Sequence, residues 1–348
     1  MSDAATALTK LFDSGSLNAP DENALIGVWA AQPCAEIIPY LTKDRSHTDN
    51  LRLWCPFYPW AKTLSLDFTL PLMQEMVCAE ALDLALILPA KQKDETAILI
   101  ASALQSLKKG GQLIVVAAND AGGNRLRKTL EGFGLTIDTI HSKQKCKVVC
   151  ATVDDFDRDA ITAILKTAAP HGIIDGQYKS QIGLYGWNKI DIGSALLAEH
   201  IPDDLHGLGA DFGCGYGFLS RHIIETNPKV KKLCIIDADR RAVELSQVNL
   251  TGHESITHPI WDDLTAPDKL PKNLDFVIMN PPFHSGKGAN SAIGIKFIES
   301  AHQALKRYGQ LYIVANNHLP YERSLNELFH KHEIIAQKNG FKVICAGK

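Results

Sequence analysis

LKKGGQLIVVAAND, residues 107–120, and LKRYGQLYIVANNH, residues 305–318, are two versions of one segment. Leu, Lys, Gly, Gln, Leu, Val, Ala and Asn recur in the same order. The correspondence extends in both directions. LALILPA (84–90) stands where DFVIMNPP (275–282) stands in the later stretch, and KQKCKVVCA (143–151) mirrors QKNGFKVICA (337–346). Collinear matches of this extent point to an internal duplication. Each copy reads as an apolar strand, a helix, a strand after Gly-Gln, a helix and a final β-branched strand, the alternation of a parallel α/β sheet. The expected fold is therefore α/β, with two tandem Rossmann-like domains spanning residues 1–168 and 177–348. They are joined within TAAPHGIIDGQ (167–177), where Pro and Gly collect.

The bulk properties agree with that organisation. A chain of 348 residues that is 45% hydrophobic can build two cores. Its first residues have no basic start followed by an apolar run, so no secretory signal is expected. Nor is there an apolar run of the roughly 18 residues that a membrane span requires. The eight cysteines are scattered, and the closest pair, Cys146 and Cys150, falls in a strand-like run. Such cysteines read as reduced core residues, with no metal site and no disulfide framework. A cytoplasmic monomer without metal or membrane attachment is the expectation. A net charge of −3 argues against a uniformly basic surface, but SKQKCK (142–147) is a local basic cluster of the kind that contacts phosphates.

The two copies differ at their strand ends. The first has ALIGVWAA (24–31) and ILPAKQ (87–92), while the second has glycines and Asn-Pro-Pro. The first copy is thus expected to be a degenerate scaffold or recognition module, and the second to carry chemistry. GADFGCGYGFLS (209–220) ends a short apolar strand at Asp211, places Gly213, Gly215 and Gly217 at alternate positions, and leads into a helix over 218–226. Glycines there let main-chain amides approach a ligand at a helix N-terminus. About twenty residues on, LCIID (233–237) ends a buried strand at Asp237, where a carboxylate is placed to bind the two hydroxyls of a ribose. The G-x-G-x-G spacing lacks the G-x-G-x-x-G of a pyrophosphate site and fits a nucleoside with a small charged tail, S-adenosylmethionine. Asp211 would orient its amino end. Asp262, in IWDDL (260–264), would accept from the adenine amine with Trp261 beside the ring, although an Asp-Asp there also serves as a plain helix cap.

IMNPPFHSG (278–286) closes the fourth strand of the second copy on the same carboxyl edge, where open α/β sheets bind ligands. Pro282 fixes the backbone around Pro281, whose carbonyl is left outside any ladder. The Asn280 side-chain oxygen and the Pro281 carbonyl can then accept both hydrogens of one planar NH2. That favours the pyramidal, nucleophilic geometry of an otherwise delocalised amine. Phe283 offers a stacking face for a flat base. His284 and Lys287 read as solvated loop residues.

With these residues in view, the second domain resembles the class I S-adenosylmethionine-dependent methyltransferases. Within them it is similar to the RsmC-type family, which methylates the exocyclic amine of a guanine in 16S ribosomal RNA. The resemblance rests on Asp-x-Gly-Cys-Gly-x-Gly at 211–217, Asn-Pro-Pro-Phe-His at 280–284, IDIGS at 190–194, IVANNHLPY at 313–321 and FKVICA at 341–346. It implies a duplicated, cofactor-free N-terminal methyltransferase-like domain, cofactor contacts at Asp211, Gly213 and Asp237, and amine contacts at Asn280 and Pro281. It also implies ribosomal RNA or the small subunit as partner. Where that family usually has Phe-Ser-Arg ahead of the IDIGS segment, this chain has Tyr185-Gly186-Trp187. A sister family acting on 23S ribosomal RNA shares the architecture. Asn-Pro-Pro-aromatic also serves enzymes that methylate DNA adenine or protein glutamine, usually with Tyr in place of Phe283. A non-catalytic RNA-binding protein is a further alternative, disfavoured by intact Asp211, Asp237 and Asn280.

Overall fold

The computed structural model describes residues 2–42, 50–64, 81–282 and 289–348. The chain separates into two compact units, residues 1–169 and 170–348. In the first, β1 (Ile26–Ala30), β2 (Leu51–Trp54), β3 (Leu82–Leu88), β4 (Leu107–Ala118), β5 (Thr139–Lys143) and β6 (Cys146–Val153) form one sheet in the order β2-β1-β3-β4-β6-β5. The second unit opens with a small hairpin, β7 (His171–Ile173), which falls in residues that read as linker, and β8 (Tyr178–Ser180) just beyond them. Its main sheet contains β9 (His206–Phe212), β10 (Lys229–Asp237), β11 (Thr257–Trp261), β12 (Leu274–Met279), β13 (Leu305–Asn316), β14 (Lys331–Lys338) and β15 (Phe341–Gly347). These run in the order β11-β10-β9-β12-β13-β15-β14. Among the described residues the orders superpose element for element, with no counterpart of β11 in the first sheet.

The duplication is visible in atoms as well as topology. Asp83 at the start of β3 accepts the Leu25 N–H and pairs with Lys108. Asp275 at the start of β12 likewise accepts the Leu208 N–H and pairs with Lys306. Each Asp thus joins the foot of one strand to its neighbour and to the strand after the next helix. In both copies the chain then turns through a left-handed residue, Gly110 at φ 77° and Tyr308 at φ 68°. A glycine follows whose Cβ would lie 2.9 Å from a main-chain oxygen, so Gly111 and Gly309 are retained by lack of room.

Both faces of each sheet are covered, as parallel strands require. Adjacent residues alternate between layers: Val28 and Trp29 on β1, Ile313 and Val314 on β13. Gly209 has the same kind of cause, since a Cβ there would sit 2.1 Å from the ring of Phe276, its partner on β12. One expectation needs correction. Each copy ends in a two-stranded antiparallel hairpin, β5–β6 and β14–β15, rather than in a single strand. The turns are Gln144-Lys145 (φ 49° and 56°) and Asn339-Gly340 (φ 52° and 81°), left-handed pairs that match strand twist. Asn-Gly was a sequence signal for such a turn; Gln-Lys carried none.

Candidate active site

The strand registers align the copies residue by residue. Asp83 and Asp275 correspond, so Leu88 takes the place of Asn280, and Val28, opposite Leu86, that of Asp211, opposite Ile278. Val28 and Leu88 are fully buried. The first copy therefore has apolar packing where the second has an amide and a carboxylate, the physical content of calling it degenerate.

In the second copy the turn after β9 is built from left-handed glycines, with φ 79° at Gly213, 53° at Gly215 and 91° at Gly217. The Gly213 and Cys214 N–H groups both donate to the Ile236 carbonyl, tying the turn to β10, and the Gly215 N–H donates to Asp237 Oδ2 at 2.9 Å. A Cβ on Gly215 would meet nothing within 4 Å, so its conformation, not crowding, calls for glycine. The helix Phe218–Thr226 follows directly, as expected.

Three polar groups converge on this edge. Asp211 is buried, with Oδ2 accepting from Ser220 Oγ at 2.6 Å while Oδ1 has no hydrogen-bond partner. Burial, reinforced by the charge of Asp237, pushes its carboxyl up to about 7. Asp237 ends β10, half-buried; it accepts from Gly215 N–H and, on Oδ1, from Asp239 N–H at 2.8 Å. Burial, with the neighbouring Asp239 charge, raises it to about 6 against those hydrogen bonds. Asn280 follows β12 immediately, and its main-chain oxygen lies 4.0 Å from where a Cβ on Gly213 would stand. Sheet register thus brings the glycine turn and the Asn-Pro-Pro corner side by side. Pro281 is buried and Pro282 exposed; Phe283, His284 and Lys287 lie outside the described residues.

The Asn280 amide is oriented from a distance. Its Nδ2 donates to Asp191 Oδ2 and to Ser194 Oγ, each at 2.8 Å, so Oδ1 points the other way, buried and without a partner. Asp191 caps the helix Ile192–Ala198, accepting the Ser194 N–H on Oδ2, and takes the Tyr185 hydroxyl on Oδ1. Neither Asp191 nor Ser194 stands out by role in the sequence. The available signal was Asp-x-x-Ser ahead of an apolar run, which announces a helix cap, not a partner 89 residues away.

Asp262 is buried directly after β11. Its carboxylate accepts main-chain N–H groups from Asp263, Asp268 and Lys269, which occupies both oxygens and pins the loop after β11. Asp262 thus anchors this loop, and a carboxylate's four lone-pair positions leave capacity for one further donor. Trp261 donates its Nε1 to the Ala238 carbonyl at 2.9 Å and does flank this edge.

A parallel α/β sheet with a glycine turn after its first strand, a carboxylate after its second and an antiparallel last strand defines a Rossmann-like methyltransferase domain, and the first unit repeats its strand order without the glycine turn. Residues 175–345 match the methyltransferase small domain, and residues 46–163 match the methyltransferase small domain N-terminal region. The chain belongs to the methyltransferase small domain family. It is similar to the ribosomal RNA small subunit methyltransferase C of Pasteurella multocida, 28% identical over 295 residues, covering 84% of this chain and 87% of that protein. The protein of the same name from Psychromonas ingrahamii is 28% identical over 264 residues, 75% of each chain. Among solved structures, the Thermus thermophilus 16S rRNA N2 G1207 methyltransferase, in complex with AdoMet and guanosine, superposes with a TM-score of 0.76 at 19% identity. It covers 100% of this chain and 92% of that one, which establishes the two-domain fold. No helix among the described residues is long and apolar enough to cross a membrane.

Proposed function

We propose that this protein transfers the methyl group of S-adenosylmethionine to the exocyclic amine of a guanine in the 16S RNA of the small ribosomal subunit, acting in the cytoplasm as a monomer. The observation that carries the reading is the unpartnered, buried Oδ1 of Asn280, a residue whose main chain lies beside the glycine turn. A buried acceptor left open costs about 1–3 kcal/mol unless a ligand supplies its donor. The named relatives and the guanosine-bound structure of similar fold agree with a guanine as that ligand.

The cofactor fits the residues present. Asp211 offers one free buried oxygen for an ammonium group, Asp237 a carboxylate for ribose hydroxyls, and Gly213–Gly217 a main-chain cradle free of side chains. S-adenosylmethionine, when bound, supplies a methyl already activated on sulfur, which leaves orientation as the main task of the protein. Asn280 Oδ1 and the Pro281 carbonyl hold the two amine hydrogens, and the Asp191–Ser194 clasp keeps the Asn280 amide from rotating its donor into their place. Phe283 is proposed to stack on the base.

The raised carboxyls give a pH signature. In the ligand-free fold, Asp211 and Asp237 hold protons that the unfolded chain has released. Their contribution to stability is thus full below about pH 4 and lost as pH rises through 6 to 7. A cationic ligand needs both ionised. Its affinity is therefore expected to rise from pH 5.5 to 8, with net proton release on binding near pH 6. Titration calorimetry in buffers of different ionisation enthalpy checks this. Flat affinity and no proton release would contradict it.

For the first unit we propose a part in gripping RNA. SKQKCK forms the β5–β6 turn, with Lys143 and Lys145 exposed, whereas KKGG lies at the opposite end of β4 and its Lys108 is tied to Asp83. Lys143→Glu with Lys145→Glu is expected to weaken binding of ribosomal RNA about tenfold at low salt and to flatten its salt dependence, with cofactor affinity unchanged. Equal RNA affinity would remove the hairpin from the interface.

A further inference from the structure

Tyr185 is 59% exposed, and its hydroxyl donates to Asp191 Oδ1 at 3.1 Å. The other oxygen of the same carboxylate receives the Asn280 Nδ2 and the Ser194 N–H, at 2.8 and 2.9 Å. Asp191 is thus held from three directions, by its own helix, by Asn280 and by Tyr185. Partial burial of the ring, with the carboxylate beside it, pushes the phenol up to about 12, so it remains a donor across any working pH.

A carboxylate capping a helix from a loop can swing about its side-chain torsions. With Oδ1 fastened, Oδ2 is fixed in the plane that meets the Asn280 amide. We propose that Tyr185 is a positioning residue of the methyl-transfer site, acting through Asp191 to lock the Asn280 carboxamide with its oxygen toward the substrate amine. This rests on the function proposed above. The loop from Gly183 to Asp191 is itself anchored, since Arg241 donates to the Gly183 carbonyl and the Tyr216 hydroxyl to that of Lys189, at 3.5 and 3.4 Å. The hydroxyl therefore reaches Asp191 from a braced segment.

The test uses the full-length protein and Tyr185→Phe, which removes only the hydroxyl of an exposed ring. In the ligand-free protein, the side-chain NH2 resonances of Asn280, assigned by their loss in Asn280→Asp, are expected to shift in Tyr185→Phe. In methyl transfer, kcat is expected to fall about fivefold, the worth of one ordinary hydrogen bond, with KM for RNA and cofactor affinity unchanged. In an Asp191→Asn background, which keeps the helix cap, Tyr185→Phe is expected to add no further loss. Unmoved Asn280 resonances, a change confined to KM, or a full additive loss in that background would each overturn the proposal. Should the wild-type protein methylate no RNA, the proposed function fails, while the resonance measurement still decides whether Tyr185 governs Asn280.

Discussion

Asn280→Ala is expected to lower turnover about a hundredfold or more while leaving S-adenosylmethionine affinity within twofold of wild type. Removing one preorganised hydrogen-bonding group from a reacting centre typically costs 10²–10³ in rate. Here the removed group is an acceptor held from behind by two hydrogen bonds and unpartnered in front. Alanine also strips Asp191 and Ser194 of a donor, but both keep the helix cap between them, so the fold is expected to survive. Circular dichroism and calorimetric cofactor titration separate a folded, loaded, slow enzyme from a damaged one. Near-normal turnover would remove Asn280 from the chemistry.

Asp237→Ala is expected to act on the other half of the pocket, raising the dissociation constant for S-adenosylmethionine about a hundredfold with less effect on kcat at saturating cofactor. Hydrogen bonds to a charged acceptor contribute about 1.5–3 kcal/mol each, and a ribose presents two donors. Two such bonds at the lower end amount to about 3 kcal/mol, or about a hundredfold in affinity. The carboxylate also accepts the Gly215 N–H, so part of the loss comes from a loosened glycine turn. Asp237→Asn keeps an acceptor for that N–H and is expected to fall between alanine and wild type. An unchanged dissociation constant in the alanine variant would refute the role.

The sequence made the architecture legible because both copies repeat the residues that physics holds fixed. These are the glycines at 111 and 309 with no room for a side chain, and the Asp83 and Asp275 feet that stitch neighbouring strands. Strand ends were legible for the same reason: Asp211, Asp237 and Asn280 interrupt apolar runs where the chain leaves the sheet. What could not be read were hydrogen bonds between distant segments. The Asp191 partner of Asn280 is 89 positions away, and no local pattern encodes it. Nor did the sequence show that Asp262, at a strand end, also folds back on the main chain of Asp268 and Lys269. The hairpin at the end of each copy was missed for a subtler reason, since the first copy makes its left-handed turn from Gln144 and Lys145, residues with no preference for it.

The central claim is that one pocket brings the donor at the glycine turn to an amine held at the Asn280–Pro281 corner. Its most direct test is transfer of labelled methyl from S-adenosylmethionine to separated ribosomal subunits and their naked RNAs, with nucleoside analysis and mapping of the product. The account predicts N2-methylguanosine at a single position of small-subunit RNA, abolished together with turnover in Asn280→Ala. Label on another nucleoside, label in large-subunit RNA, or no transfer by a folded, cofactor-bound protein would contradict it.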